Sequence, residues 1–125
     1  RTPEAFAKNA KRVIKKGYTA LKFDPFGSGW RKVDNADEDL SIDIVAAVRE
    51  AVGPGVDVLV EGHNRFSVEQ ALRIARRLAP YNPTWFETPV PPQNISAMVE
   101  VARQSPVPIA CGEDYSNKQQ FAELL

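Results

Sequence analysis

Hydrophobic positions along the chain alternate between two periods, and the changes of period mark its elements. Over residues 3–16 the apolar Phe6, Ala10, Val13 and Ile14 recur at helical spacing, with lysines and arginine on the other side. Thr2 suits the N-cap, Pro3 the first helical position and Gly17 the stop. Thr19-Ala20-Leu21-Lys22-Phe23-Asp24 then reads as a short strand closed by Pro25, and residues 25–36, rich in Gly, Pro and polar groups, read as loop. A second helix is expected from about residue 36 to residue 52, with Leu40, Ile44, Val45 and Val48 on one stripe, ended by Gly53-Pro54-Gly55. Val56-Asp57-Val58-Leu59-Val60-Glu61 is nearly continuous in apolar residues before its terminal acid, which suits a strand.

The same rhythm repeats. Ser67 is placed to cap a helix running through Leu78, with Val68, Ala71, Leu72, Ala75 and Leu78 inward. Thr84-Trp85-Phe86-Glu87 forms a third strand, followed by the turn Thr88-Pro89-Val90-Pro91-Pro92. A helix over about residues 94–104 leads to the fourth strand, Val107-Pro108-Ile109-Ala110-Cys111, and Ser116 stands where a last helix would start. Apolar strands alternating with amphipathic helices imply an α/β fold with a parallel sheet covered by helices. Alternation alone does not separate an open sheet from a barrel. A (β/α)8 barrel needs ~250 residues, so four strands in 125 residues amount to about half of one.

Composition narrows the class. With 16 basic and 16 acidic residues the formal net charge is zero, so charge gives no reason to expect a nucleic-acid partner or an anionic membrane. No apolar run approaches the ~20 residues needed to span a bilayer. Cys111 is the single cysteine, which excludes an intrachain disulfide and fits a cytoplasmic enzyme. The chain starts at Arg1 without an initiator methionine and ends inside a helical pattern, so it is expected to be a segment of a longer protein.

The candidate chemistry lies in the acids. Glu61, Glu87 and Glu113 end or follow three successive strands, and 87 − 61 and 113 − 87 are both 26. In a parallel sheet these strand ends share one edge, with neighbouring strands ~4.8 Å apart, so the carboxylates can converge. A hard divalent cation such as Mg²⁺ would relieve their repulsion. Basic partners are the other solution, and Lys22 is the one strand-end cation available. His63, the single histidine, lies two residues beyond Glu61 and shares its face if the strand persists. It could support the metal shell or protonate a departing hydroxyl. Lys22 could neutralise a substrate carboxylate or act as a base. Asp24 shares its face but precedes Pro25, where aspartate is common in turns. Trp85, Phe86 and Cys111 read as packing residues, and Trp30 and Tyr115 as possible pocket walls.

Leu21-Lys22-Phe23-Asp24, Val60-Glu61-Gly62-His63, Phe86-Glu87-Thr88-Pro89 and Ala110-Cys111-Gly112-Glu113, in this order and spacing, resemble the enolase superfamily in its mandelate racemase-like branch. The resemblance covers essentially the whole chain, as strands two to five of a (β/α)8 barrel. It implies Glu61, Glu87 and Glu113 as Mg²⁺ ligands, with the metal stabilising the enediolate left when the proton α to a substrate carboxylate is removed; superfamily use of a Lys or His base with Mg²⁺ is established. Members with a lysine base usually carry Lys-x-Lys, whereas this chain has Lys22-Phe23-Asp24. A histidine at the position of His63 is similar to the acid-sugar dehydratases, where it serves as general acid for loss of the β-hydroxyl. The resemblance therefore implies a hydro-lyase acting on an aldonate or aldarate, with Lys22 and His63 as catalytic groups and Lys22, Asp24 and His63 contacting substrate. The family's His-Asp dyad and a capping domain would lie elsewhere in the whole protein, which is expected to form a homo-oligomer; the segment alone is expected to be inactive. The alternatives are a racemase, epimerase or cycloisomerase of the same superfamily, another Mg²⁺-dependent barrel, or a non-catalytic interaction module.

Overall fold

The computed structural model describes residues 1–30 and 33–125, so Arg31 and Lys32 of the expected loop at 25–36 lie outside the described residues. Four strands, β1 (Ala20–Phe23), β2 (Asp57–Glu61), β3 (Trp85–Glu87) and β4 (Ile109–Ala110), form one parallel sheet in the order β1-β2-β3-β4. Helices α1 (Pro3–Lys15), α2 (Asn35–Val52), α3 (Val68–Leu78), α4 (Ile95–Gln104) and α5 (Lys118–Leu124) alternate with them, and a 3-10 turn at Ala79–Tyr81 extends α3. The alternating α/β order is the expected one, with strands shorter by one to three residues at their ends.

The helices start where short polar side chains can take up their first free amides. Thr2, Asp34, Ser67, Asn94 and Asn117 each accept a hydrogen bond from the backbone N–H three residues on. Two of these caps, Thr2 and Ser67, follow the sequence pattern. The last helix begins two residues later than expected because Asn117 caps it, while Ser116 N–H donates to the Gln120 side chain.

Strand alternation sorts the sheet into two unlike faces. Leu21, Phe23, Val58, Val60, Phe86 and Ile109 share one face by register, and the helices lie against it. Ala10, Ile42, Val45, Val48, Ala71, Ile74, Ala75, Leu78, Met98 and Val101 supply the helix side of that core. Each fully buried aliphatic or aromatic side chain of this kind contributes roughly 1.5–3 kcal/mol. Lys22, Leu59, Trp85 and the strand-end acids occupy the opposite face, which no helix of the described residues covers. Under the loops at the carboxyl ends, Phe26, Phe66 and Phe86 pack as three mutual ring pairs with centroids 4.9 to 6.1 Å apart. They give those loops an apolar floor.

One buried charge lies inside the helical layer. Glu38 on α2 is 2% exposed and accepts hydrogen bonds from Arg73 and Arg77 of α3, at 2.7 and 2.9 Å for the closest contacts. Burial pushes the Glu38 carboxyl up, but the two guanidinium groups outweigh it and hold the carboxyl below its ordinary 4.5. A depressed folded value means stability that is present above 4.5 and lost as the pH falls below it. Glu38→Gln is expected to cost about 1–3 kcal/mol at pH 7 and to flatten the acid limb of stability, measured by urea unfolding across pH 3 to 7.

Candidate active site at the carboxyl ends of the strands

Glu61 and Glu87 are the last residues of β2 and β3 and are paired in register, so both side chains leave the uncovered face side by side. Their side chains are 3% and 13% exposed. Two carboxylates so placed would repel, and Lys22 answers that repulsion. Its Nζ lies 2.9 Å from Glu61 Oε2 and 2.7 Å from Glu87 Oε1. The remaining oxygens are also engaged. Glu61 Oε1 accepts the His63 backbone N–H at 3.0 Å, and Glu87 Oε2 accepts the Trp85 indole N–H at 2.8 Å.

The electrostatics follow from these contacts. Burial pushes the Glu87 carboxyl up, but hydrogen bonds from Lys22 and Trp85 outweigh it and hold it below 4.5. The hydrogen bond to Glu87 raises the Lys22 ammonium above its ordinary 10.5; desolvation opposes this, and Glu61 adds to it. Both groups are therefore charged at neutral pH. Trp85, expected as a packing residue, faces the site and orients a carboxylate, whereas Phe86 is fully buried as expected. Burial likewise raises the thiol of Cys111, which packs against the core.

Glu113 reaches the site differently. Glu87 pairs with Ala110, so Glu113 lies three residues past the register position, on the turn after β4. Gly112, at φ 133, lets the chain turn there. The even 26-residue spacing thus places two acids by register and the third by a loop. Glu61, His63 and Glu113 each offer a ligand atom, and these atoms lie within 4.8 Å of one another.

His63 also meets the site by a turn and not by strand alternation. The strand stops at Glu61, and His63 and Asn64 both take left-handed backbone, at φ 50 and 53. The turn sets His63 Nδ1 2.7 Å from Asp24 Oδ2. Arg65 donates to the same carboxylate, to Oδ1 at 3.0 Å and to Oδ2 at 2.5 Å, and Asp24 Oδ1 accepts the Phe26 N–H at 2.8 Å. Arg65, 8% exposed, is absent from the sequence-based site. No pattern in the sequence pointed to it, since the chain leaves the strand path before position 65. Trp30 is largely exposed, and the Tyr115 hydroxyl donates to the Pro92 carbonyl.

The loops beyond β2 and β3 are joined by their main chains. The N–H groups of Gly62, Asn64 and Phe66 donate to the carbonyls of Glu87, Thr88 and Pro89 at 2.8, 2.7 and 3.0 Å, and Thr88 N–H donates to Ala110 at 2.7 Å. A Cβ at position 62 would stand 2.9 Å from the Glu87 carbonyl oxygen, so only glycine permits this approach. Thr88 is held at φ 39, an uncommon conformation for a β-branched residue.

The donor set suits a hard cation. Glu61 belongs to two groups: Lys22 sits between it and Glu87, and His63 and Glu113 bring ligand atoms within 4.8 Å of it, a group of three that does not include Glu87. Two carboxylates with one imidazole are donors that a hard divalent ion can use.

The chain belongs to the enolase superfamily: the family model described as enolase C-terminal domain-like matches residues 5–125. A D-gluconate/D-galactonate dehydratase of Picrophilus torridus is 37% identical over 98% of the chain and 32% of its own length. A D-gluconate dehydratase of Thermoproteus tenax is 41% identical over 100% of the chain and 25% of its own length. The solved structure of a mandelate racemase/muconate lactonizing enzyme from Jannaschia sp. superimposes with a TM-score of 0.91 at 38% identity, over 98% of the chain and 33% of that structure. A D-galactarolactone cycloisomerase of Agrobacterium fabrum and a 3,6-anhydro-alpha-L-galactonate cycloisomerase of Streptomyces coelicolor are also among the relatives. The chain spans about a third or less of the length of these curated relatives.

Proposed function

We propose that the protein contributes the metal-binding part of a Mg²⁺-dependent dehydratase that removes water from a sugar acid. The observation that supports this reading is that Glu61 lies beside Glu87 across Lys22 and also within ligand reach of His63 and Glu113. Four parallel strands with helices on one face suit strands two to five of a (β/α)8 barrel, closed in the whole protein by further strands and a capping domain.

In this reading Glu61, Glu87 and Glu113 hold Mg²⁺. When bound, the metal supplies Lewis-acid stabilisation of the charge that develops on the substrate carboxylate as the α-proton leaves. Lys22 neutralises the same carboxylate. His63 is the general acid: it gives a proton to the β-hydroxyl as that C–O bond breaks, so the leaving group departs as water. Asp24 holds Nδ1 and so leaves Nε2 as the nitrogen facing the substrate, while Arg65 keeps the Asp24 carboxylate in place. Asp24, expected to touch substrate, serves here to orient His63. The base is assigned to the dyad on other strands of the whole protein.

The test is turnover of a panel of C5 and C6 aldonic and aldaric acids by the whole protein, with and without Mg²⁺. A Mg²⁺-dependent 2-keto-3-deoxy product is expected. Exchange of the α-proton without loss of water would move the protein to the epimerases, and turnover of the corresponding lactones, assayed alongside, with none of the acids would move it to the cycloisomerases. Turnover indifferent to metal would remove the three-glutamate site.

A further inference from the structure

The contacts around His63 carry an inference that rests on the dehydratase reading above. His63 and Asn64 hold left-handed backbone at φ 50 and 53, which residues with a Cβ keep only where their surroundings fix them. The group that fixes the His63 ring is Asp24, 2.7 Å from Nδ1. The same turn grips Asp24 a second time, because Arg65 gives it two nitrogens, at 3.0 and 2.5 Å. Asp24 Oδ1 takes the Phe26 N–H and one Arg65 nitrogen, while Oδ2 takes His63 and the other. The carboxylate cannot turn without breaking several of these bonds at once. Beside this polar latch, Phe26 and Phe66 pack edge to face with centroids 4.9 Å apart, so the two segments stay joined by an apolar contact of their own.

Once the α-proton of the sugar acid has left, two outcomes compete. Return of a proton to the α-carbon restores the substrate or its epimer. Loss of water instead carries the electron pair of the broken C–H bond into a new C=C bond as the β C–O bond breaks, and the hydroxyl takes the His63 proton and leaves as water. The second outcome alone needs the imidazole at the β-hydroxyl. Misplacing such a group by about 1 Å can cost on the order of 10²-fold in rate.

We propose that Arg65 is the positioning residue that commits the deprotonated sugar acid to loss of water instead of return of the α-proton. It acts through Asp24, by holding the carboxylate in the orientation that seats Nδ1 and leaves Nε2 for the substrate. Lysine cannot stand in for it. A lysine ammonium is a point charge without the planar fork, so it can pair with Asp24 but does not fix both oxygens. The Phe26–Phe66 contact survives that change, which confines the effect to the Asp24–His63 pair.

The experiment compares the whole native protein with Arg65→Lys in D₂O, with Mg²⁺ and the preferred sugar acid. Deuterium at the α-carbon of recovered substrate and keto-acid formation are followed in the same sample, with melting and Mg²⁺ affinity by calorimetry alongside. Arg65→Lys is expected to lower the ratio of keto acid to exchanged substrate roughly tenfold or more, with melting and Mg²⁺ affinity near native. A ratio equal to native, whether both processes fall together or neither changes, would overturn the positioning role and leave the dehydratase reading intact. No keto acid from the native protein on any acid of the panel would overturn that reading and the inference with it. The double variant Asp24→Asn/Arg65→Gln removes both charges of the pair together and should show the same lowered ratio; it carries the comparison if Arg65→Lys does not fold.

Discussion

Glu87→Gln is expected to abolish Mg²⁺-dependent turnover of the preferred sugar acid in the whole protein, by about 10³-fold or more in kcat/KM at saturating Mg²⁺. Stabilisation of developing charge by a metal is worth several kcal/mol, and about 1.4 kcal/mol corresponds to each factor of ten. The change keeps shape and volume but removes one of the two charges that face Lys22. Trp85 can still donate to the retained side-chain oxygen, so the strand end should keep its place. The acid dependence gives a second readout. Glu87 is held below 4.5, so its contribution to stability is present above that pH and lost below it. The variant should therefore lose stability at neutral pH and differ less from the native protein in acid. Turnover within tenfold of native would remove Glu87 from the metal site.

His63→Asn is expected to lower dehydration by about 10²- to 10⁴-fold, the range for loss of a general acid. Asparagine tolerates the left-handed backbone that position 63 adopts at φ 50. Its amide can still donate toward Asp24, so the loop need not rearrange. The reaction should separate into its halves: exchange of the α-proton with solvent deuterium should survive while loss of the hydroxyl fails. Mass spectrometry of recovered substrate in D₂O measures the first, and keto-acid formation the second. Loss of both together, with weakened Mg²⁺ binding, would make His63 a metal-shell residue, as its closeness to Glu61 and Glu113 also allows.

The elements were legible because each has a local physical cause. Capping by Thr2 and Ser67, the helical stripe of Ile44, Val45 and Val48, and the apolar run of Val58 and Val60 are all decided within a few residues of chain. Glu61 and Glu87 were legible as a pair because parallel register follows once the strands are known. The rest of the site depends on backbone that leaves the regular path. Glu113 lies three residues past its register position, and His63 arrives through two left-handed residues, so neither position follows from alternation. Arg65 and Asp24 meet across 41 residues of chain, and no local pattern encodes that contact. Trp85 was read by its bulk, and only its position beside Glu87 shows the use of its N–H.

The main-chain bonds between the loops after β2 and β3 bear on how such a site can diversify. Gly62, Asn64 and Phe66 hold Glu87, Thr88 and Pro89 through backbone atoms alone, so the attachment is indifferent to most side chains along it. Residues such as His63 can therefore be exchanged for other acids, bases or spacers while the anchoring of Glu61 and Glu87 stays as it is. Chemistry and scaffold are carried by different atoms of the same short segment, with Gly62 as the position where the two requirements meet.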